Sequence, residues 1–272
     1  PWIKLKKRVY YVVAAMKINS NVSTANLSTL TQVKEQQEKS LERLATGLKI
    51  NQAADDAAGF QIAQRLFTQA SGLQVAVRNA NDSYSLASVA DSAISGVSDA
   101  TQRVQELSIQ AANGTLSAAD RKSIQFEITQ IQSQVSDIQN NTTFAGQSLF
   151  TSSENRNFQV GSNAGETIGF STNDFNAQIE QLQQVDVTTQ AGAQEAITTA
   201  QNLNEAFNTA RTQIGAFQNR ISSTINNLSN IYEQTVASSS RIADTDFAQE
   251  TANKAQQDFL VQGNVAIQAQ AN

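Results

Sequence analysis

The sequence predicts a mainly α-helical protein: long helices packed on one another in coiled-coil fashion, interrupted by one small β-hairpin region. Three observations carry that expectation. The only proline among 272 residues is Pro1, so nothing from Trp2 onward forces a helix to kink or stop. Three long stretches space their apolar residues alternately three and four apart, which lines one face of a helix. Between the second and third, the spacing changes to strict alternation about a glycine-rich turn.

The first stretch runs Leu66, Ala70, Leu73, Val77, Ala80, Tyr84, Ala87, Asp91, Ile94, with Asp91 as its only interruption. It then shifts phase through Val97, Val104 and Ala111. Asn113-Gly114 is a turn signal that ends it. The second begins at Ser117, with Asp120 three residues on, in the manner of a capping box. Its stripe is Ile124, Ile128, Ile131, Val135 and Ile138, and it ends near Asn140-Asn141. The third runs from Ala200, Leu203, Phe207, Ala210, Ile214, Phe217 and Ile221 through Thr224, Leu228, Ile231, Thr235 and Ser238 to Ile242. A continuous helix of that length is about 65 Å long at 1.5 Å per residue. It cannot fold back on itself, so the first two stretches are its expected partners.

Between these helices Phe158 and Val160 alternate with polar residues. Gly161-Ser162-Asn163-Ala164-Gly165 follows, and Ile168 and Phe170 resume the alternation. This reads as a hairpin at about 158–170. Residues 171–192 are polar and show no pattern. Both chain ends read as helical but weakly apolar. Leu27, Leu30, Leu41, Leu44 and Leu48 mark residues 20–48, and Ala248, Ala252, Ala255, Phe259, Ala266 and Ala269 mark residues 248–269. Alanine-rich seams bury little area, and at about 25 cal/mol per Å² such a pair is marginal alone. These ends are expected to order only among neighbours.

Composition narrows the function classes. Histidine and cysteine are both absent, which excludes a Ser-His-Asp triad, a Cys-His pair, an HExxH zinc site, disulfides and thiolate metal sites. No cofactor or metal is expected. The net charge is −5, although the first eight residues contribute Lys4, Lys6, Lys7 and Arg8. The acidic remainder is a poor match for nucleic acid. No stretch reaches the roughly 18 uninterrupted apolar residues of a membrane span. Residues 1–15 look foreign to the rest, basic and then apolar. Met16, the only methionine, follows directly and reads as the natural start, with 1–15 a leader or extension.

Several motifs then carry a family resemblance. Leu41-Glu42-Arg43-Leu44-Ala45-Thr46-Gly47-Leu48-Lys49-Ile50-Asn51, followed by Ala54-Asp55-Asp56-Ala57-Ala58-Gly59, resembles the N-terminal signature of bacterial flagellins. Arg78-Asn79-Ala80-Asn81-Asp82 and Gln102-Arg103-Val104-Gln105-Glu106-Leu107 are similar to that family's next two blocks. Ser240-Arg241-Ile242-Ala243-Asp244-Thr245-Asp246 and Ala269-Gln270-Ala271-Asn272 are similar to its C-terminal signature. Long motifs in the right order over about 16–272 are specific in a way that one short match is not.

The resemblance implies a structural subunit that self-assembles into the extracellular flagellar filament for motility, and no enzyme. It implies antiparallel helices in a rod-like bundle, with the N- and C-terminal helices paired. The inner coiled-coil domain would be 16–57 plus 244–272, and the rod 58–243. With only about 146–192 between the rod's helices, this would be a minimal flagellin without a large outer domain. Partners implied are further copies of the chain, the flagellar export apparatus and its chaperone, the filament cap, hook-associated proteins and, in some flagellins, an innate immune receptor of animals. The implied surface for subunit contact or receptor binding comprises Gln102, Arg103, Glu106, Leu107 and Glu127. Leu27, Leu30, Leu41, Leu44, Ala248, Ala252, Ala255 and Phe259 are the expected terminal assembly seams.

Three departures from the family pattern stand out: residues 1–15, a stop at Asn272 where the family usually continues into an apolar tail, and Phe144-Ala145-Gly146 in place of Phe-Asn-Gly. The last is expected to matter little. Hook–filament junction proteins share both terminal signatures but usually read Asp-Asp-Pro where this chain has Asp55-Asp56-Ala57. A flagellin-like adhesin that binds glycans is the other alternative. It would use the hairpin and 171–192, yet 157–192 holds no basic residue for an anionic glycan.

Weaker motifs receive structural readings. Asp55-Asp56 is expected to be a solvated or capping pair where the first helix bends into the second, rather than a catalytic or metal-binding pair. The 161–165 glycines lack the Gly-Lys-Ser/Thr ending of a phosphate loop. Arg103 and Glu106 form an i,i+3 pair on a helix surface. Triplets such as Asn81-Asp82-Ser83 and Asn113-Gly114-Thr115 match a glycosylation pattern by chance in a chain so rich in Asn, Ser and Thr.

Overall fold

The computed structural model describes residues 26–150, 155–171 and 175–271, with the side chain of residue 271 left aside. The leader expected at 1–15 and the start at Met16 lie outside the described residues. Helix α1 covers 26–46. It is followed by α2 (Ala57–Ala111), α3 (Ala118–Asn141), β1 (Thr143–Phe144), β2 (Gln147–Ser148), β3 (Asn155–Gln159), β4 (Thr167–Ser171), α4 (Asn176–Gln183), α5 (Gln190–Ala243) and α6 (Phe247–Ala271). The described residues fall into two compact units, divided between Thr68 and Gln69 and again between Gln234 and Thr235, the first unit holding both ends and the second the middle.

In the second unit the three predicted stripes become the interfaces of α2, α3 and α5. Ala80, Ala87, Ala90, Ile94 and Val104 of α2 are buried with Leu203, Phe207, Ala210, Ile214 and Ile221 of α5, and with Ile128 and Val135 of α3. Many of these positions are alanine, which lets helices approach closely at crystal-like density. The α2–α5 pairing is antiparallel, and its register is marked by two polar contacts one heptad apart. Arg211 Nε lies 3.1 Å from Asp91 Oδ1, and the Ser98 hydroxyl donates to Asn204 Oδ1 at 3.4 Å. Asp91, the break in the apolar stripe, is therefore the answer to Arg211. Buried hydroxyls satisfy themselves locally: Ser83, Thr101 and Ser108 donate to the carbonyls of Asn79, Val97 and Val104, four residues back.

The capping box at Ser117 and Asp120 forms as the spacing predicts, and α3 ends at Asn141. The hairpin forms with slightly longer arms than 158–170. Arg156 pairs with Phe170 and Phe158 with Ile168, antiparallel. Phe170 meets Phe217 of α5 at 4.7 Å between ring centroids, and Asn79 donates from Nδ2 to the Gln159 carbonyl at 3.0 Å.

Four expectations are corrected. Residues 171–192 are not featureless: they contain α4, and Phe175, Ile179, Leu182, Val185 and Val187 are buried. The helix is too short to show a period, and the groups that hold it are glutamines of α3. Gln132 Nε2 donates to the Leu182 carbonyl at 2.9 Å, and Gln125 Oε1 accepts from the Val187 amide at 2.7 Å. A second, two-residue hairpin joins Thr143 to Ser148 and Phe144 to Gln147. Its turn places Ala145 at φ 51° and Gly146 at φ 80°, so the alanine there is far from neutral. Tyr84 is 43% exposed while Ser83 and Leu86 are buried, because the α2 stripe changes phase earlier than at Val97. In α5 the stripe slips at Ile231, which is 38% exposed, and Tyr232 packs on the core there instead.

Candidate functional site

Two surfaces answer to the candidate residues, one in each unit. In the second unit, α2 and α3 run antiparallel from the Asn113 turn, which brings Arg103 opposite Glu127. Arg103 Nη2 donates to Glu127 Oε1 at 2.8 Å and Nη1 to Glu106 Oε2 at 3.0 Å. Hydrogen bonding to Glu127, then to Glu106, raises the guanidinium pKa further. Half or more of each of the Glu106 and Arg103 side chains is exposed, and Gln102 is exposed beside them. The fork therefore presents a fixed, solvent-facing charge pattern. Leu107 does not share that face. It is 3% exposed and lies in the core beneath. Two apolar side chains unmarked in the sequence reading stand out on these helices, Ile109 at 55% and Phe126 at 69% exposed. A phenylalanine off the Ile124–Ile128 stripe was the available signal.

In the first unit, α1 and α6 pair through an unusual seam. The inward positions of α1 are Asn26, Leu30, Val33, Gln37, Ser40 and Leu44. Those of α6 are Glu250, Lys254, Gln257, Val261, Asn264 and Gln268, flanked by the half-buried Asn253 and Asp258. Both sets alternate four and three without a break, yet every member of the α6 set except Val261 is charged or amide. Gln37 donates to Asp258 Oδ1, Lys254 Nζ donates to Asp258 Oδ2 at 2.7 Å, and Arg43 lies 4.0 Å from Glu250. The hydrogen bond from Lys254, followed by that from Gln37, holds the Asp258 carboxyl below its usual pKa.

The apolar residues of these helices lie elsewhere. Leu27, Leu41, Phe247, Phe259, Leu260, Val265 and Ile267 are all exposed, Phe259 at 76%. Ala248, Ala252 and Ala255 are exposed with them. Of the residues singled out in the sequence, only Leu30 and Leu44 face into the pair. The heptad spacing was present, but its polar members hid it.

The bends beside these helices are tied together. Leu48 and Asp244 form an isolated antiparallel bridge. Lys49 donates its amide to the Ala243 carbonyl at 2.6 Å, and Thr245 donates to that of Gly47 at 2.9 Å. Asp55 Oδ2 accepts from the amides of Asn51 and Gln52, Asp56 Oδ1 from that of Gly59, and Asp246 Oδ1 from that of Ala248. Asp56 and Asp246 thus cap α2 and α6, satisfying orphan N–H groups at helix starts. Among the described residues no helix is long and apolar enough to cross a membrane.

Known proteins share this arrangement. Residues 18–155 match the pattern described as Bacterial flagellin N-terminal helical region, and 195–272 the Bacterial flagellin C-terminal helical region. The chain belongs to the bacterial flagellin family. It is 31% identical to polar flagellin A of Vibrio parahaemolyticus, over 94% of this chain and 96% of that one. It is equally similar to flagellin D of Vibrio anguillarum, over 94% and 97%. A crystal structure of Bacillus cereus flagellin superposes with a TM-score of 0.52 and 27% identity, covering 56% of this chain and 88% of that one. A flagellar hook-associated protein of Vibrio parahaemolyticus, at 15% identity and a TM-score of 0.59, shares the fold.

The alignment with flagellin A spans 363 positions although it takes in nearly all of both chains. The relative's additional residues are therefore internal, and this flagellin is a minimal form. Flagellins are structural proteins that polymerise into the extracellular flagellar filament, and that is the role of this chain. The adhesin and junction-protein alternatives are not favoured by these matches.

Proposed function

We propose that this flagellin assembles by folding coupled to association, its terminal helices being completed by the terminal helices of neighbouring copies. The observation that carries the reading is the polarity of the α1–α6 pair: every inward position of α6 named above except Val261 is amide or charged, while Leu27, Leu41, Phe247, Phe259, Leu260, Val265 and Ile267 face outward. An isolated pair with a polar seam gains little hydrophobic stabilisation. The same two helices surrounded by copies bury Phe247, Phe259, Val265 and Ile267. Each added subunit then makes the site for the next, the open heterologous geometry that gives filaments. Removing residues 248–272 is expected to leave α2, α3 and α5 folded and to abolish elongation from filament seeds seen by electron microscopy. Elongation by the shortened chain would overturn the coupling.

Within this reading the exposed fork of Arg103, Glu106 and Glu127, with Gln102, meets the next subunit along the filament. Leu107 supports it from below. In some members of the family the same face is what an animal innate immune receptor binds, and this reading extends that contact to the monomer of this chain. A receptor reporter assay comparing the parent chain with Arg103→Ala tests that contact, and equal responses would remove it. The export apparatus and its chaperone handle the chain before assembly, and the filament cap and hook-associated proteins bound the filament. A chain without cysteine or internal proline meets no slow disulfide or prolyl step when it folds after export.

A further inference from the structure

We infer that the α2–α3 turn is a built site of spontaneous covalent modification, in which Asn113 deamidates to aspartate and isoaspartate. Asn113-Gly114 is the only Asn-Gly pair in the chain, and both residues are exposed to water. The Asn113 side chain is folded forward over its own following peptide. Its Oδ1 accepts from the Thr115 amide at 3.1 Å and from the Thr115 hydroxyl at 3.0 Å. Two donors on one carbonyl oxygen polarise the amide carbon and stabilise the oxyanion that forms when it is attacked. Among the described residues, no acceptor takes the Gly114 amide hydrogen in the turn's backbone bonding, whereas Asn113 and Leu116 donate theirs to Gln110 and Asn113.

The glycine itself is not required by the fold. Gly114 is not among the residues with positive φ. A Cβ built on it meets nothing closer than Gln190 Nε2 at 3.7 Å, an ordinary contact. What glycine does supply is an unshielded backbone nitrogen with freedom to swing.

The chemistry balances without any co-reactant but water. The Gly114 nitrogen, losing its proton to solvent, attacks Asn113 Cγ and forms the N–C bond of a five-membered imide. The Cγ–Nδ2 bond breaks as Nδ2 takes up a proton from solvent and leaves as ammonia. Water then adds to one or the other imide carbonyl and opens the ring. One opening gives aspartate, and the other gives isoaspartate with an extra methylene in the main chain. The isoaspartate opening frees the former main-chain carbonyl of residue 113 as the new carboxylate, and that carbonyl already accepts from the Arg121 guanidinium at 3.0 Å. The fold is thus prepared to receive the charge.

The test uses the full-length folded chain, incubated at mildly alkaline pH and digested for mass spectrometry. The peptide holding residue 113 is expected to gain about one dalton, as an amide becomes an acid, with release of ammonia and a split into two isomeric peaks. Other asparagines, such as Asn163 before Ala164, are expected to lag. Gly114→Ala, which the turn accommodates, is expected to slow the gain several-fold with an unchanged melting profile. Thr115→Val, which keeps the amide donor and removes the hydroxyl, is expected to slow it less. Faster reaction in the folded chain than in the same chain in denaturant supports assistance by the turn. Slower reaction in the folded chain, or no gain at residue 113, overturns the proposal.

Discussion

Leu48 and Asp244 are joined as a single β-bridge between two chain bends almost two hundred residues apart in sequence. Those bends are where the two terminal family signatures lie. The motif around Gly47 and the motif around Asp244 are one structural object. Lys49 donates to the Ala243 carbonyl at 2.6 Å, and Thr245 donates to that of Gly47 at 2.9 Å. Each motif then ends in an aspartate that caps the next helix, Asp56 for α2 and Asp246 for α6. The signatures therefore encode a place where two helices stop, cross-link and restart.

Gly47 is the residue that allows the first bend. Its φ is +75°, and a Cβ there would meet the Phe247 ring at 3.9 Å, an ordinary contact. The penalty of Gly47→Ala is thus conformational, about 1–2 kcal/mol for a left-handed non-glycine residue. The variant is expected to lose amide protection selectively at 48–49 and 244–245 in hydrogen exchange, while α2–α5 amides stay protected. Uniform protection in the variant would mean that the bend tolerates the side chain.

Acid acts on the same bends. The amides of Gln52 and then Asn51 hold the Asp55 carboxyl below its ordinary value of 3.8. A carboxylate with a depressed folded pKa stabilises the fold above the unfolded value, and that contribution is lost as pH falls through the depressed one. Loosening at residues 51–56 is therefore expected below pH 3.8, and not between neutrality and that point. Asp55→Asn is expected to remove the acid step at these residues. Amide chemical shifts of residues 51 and 52 followed from about pH 6 to about pH 2 read it directly, and an unchanged step in the variant would reassign it to another group.

The long helices were legible because each stripe keeps a three-four apolar spacing over many turns, even where it is interrupted at Asp91, changes phase near Tyr84 or slips at Ile231. Asp91 shows the limit of that reading: its partner, Arg211, is far away in sequence, so it looked like a defect. The α1–α6 seam was hidden by its own chemistry. Gln37, Lys254 and Gln257 sit at proper heptad positions, but a search for apolar periodicity follows Leu27, Leu41 and Phe259, which face solvent. Helix α4 escaped notice because its eight residues carry only Ile179 and Leu182 inward, too few to define a period. The charge fork at Arg103 was half visible. Glu106 is a helical neighbour, whereas the Glu127 contact and the burial of Leu107 depend on how α3 lies.

Ala145 shows a departure whose cost only the backbone reveals. It is the only non-glycine residue with positive φ among the described residues, and with Gly146 it forms the two-residue turn between β1 and β2. Such turns ask for Asn-Gly, because asparagine tolerates the left-handed region and alanine does not. Ala145→Asn is expected to stabilise the second unit by about 1 kcal/mol. Thermal unfolding of the two chains side by side measures it, and a lower midpoint for the asparagine variant would contradict the assigned turn.

Phe259 separates the stability of one chain from the assembly of many. It is 76% exposed on α6, and it takes no part in the contacts that tie α6 to α1, Gln37 to Asp258 and Arg43 to Glu250. Phe259→Ser removes an apolar side chain that contributes almost nothing to the single chain, so its melting curve is expected to match the parent. If neighbouring copies bury that ring, association loses roughly 1.5–3 kcal/mol per subunit, the value of burying a large apolar side chain. Because every subunit repeats the loss, the critical concentration for elongation is expected to rise by at least about tenfold, since each 1.4 kcal/mol is tenfold in an equilibrium. Sedimentation of seeded mixtures over a concentration series gives that number. An unchanged critical concentration would show that the exposed face of α6 stays exposed in the filament, and the seam between copies would then have to be sought on α1, at Leu27 and Leu41.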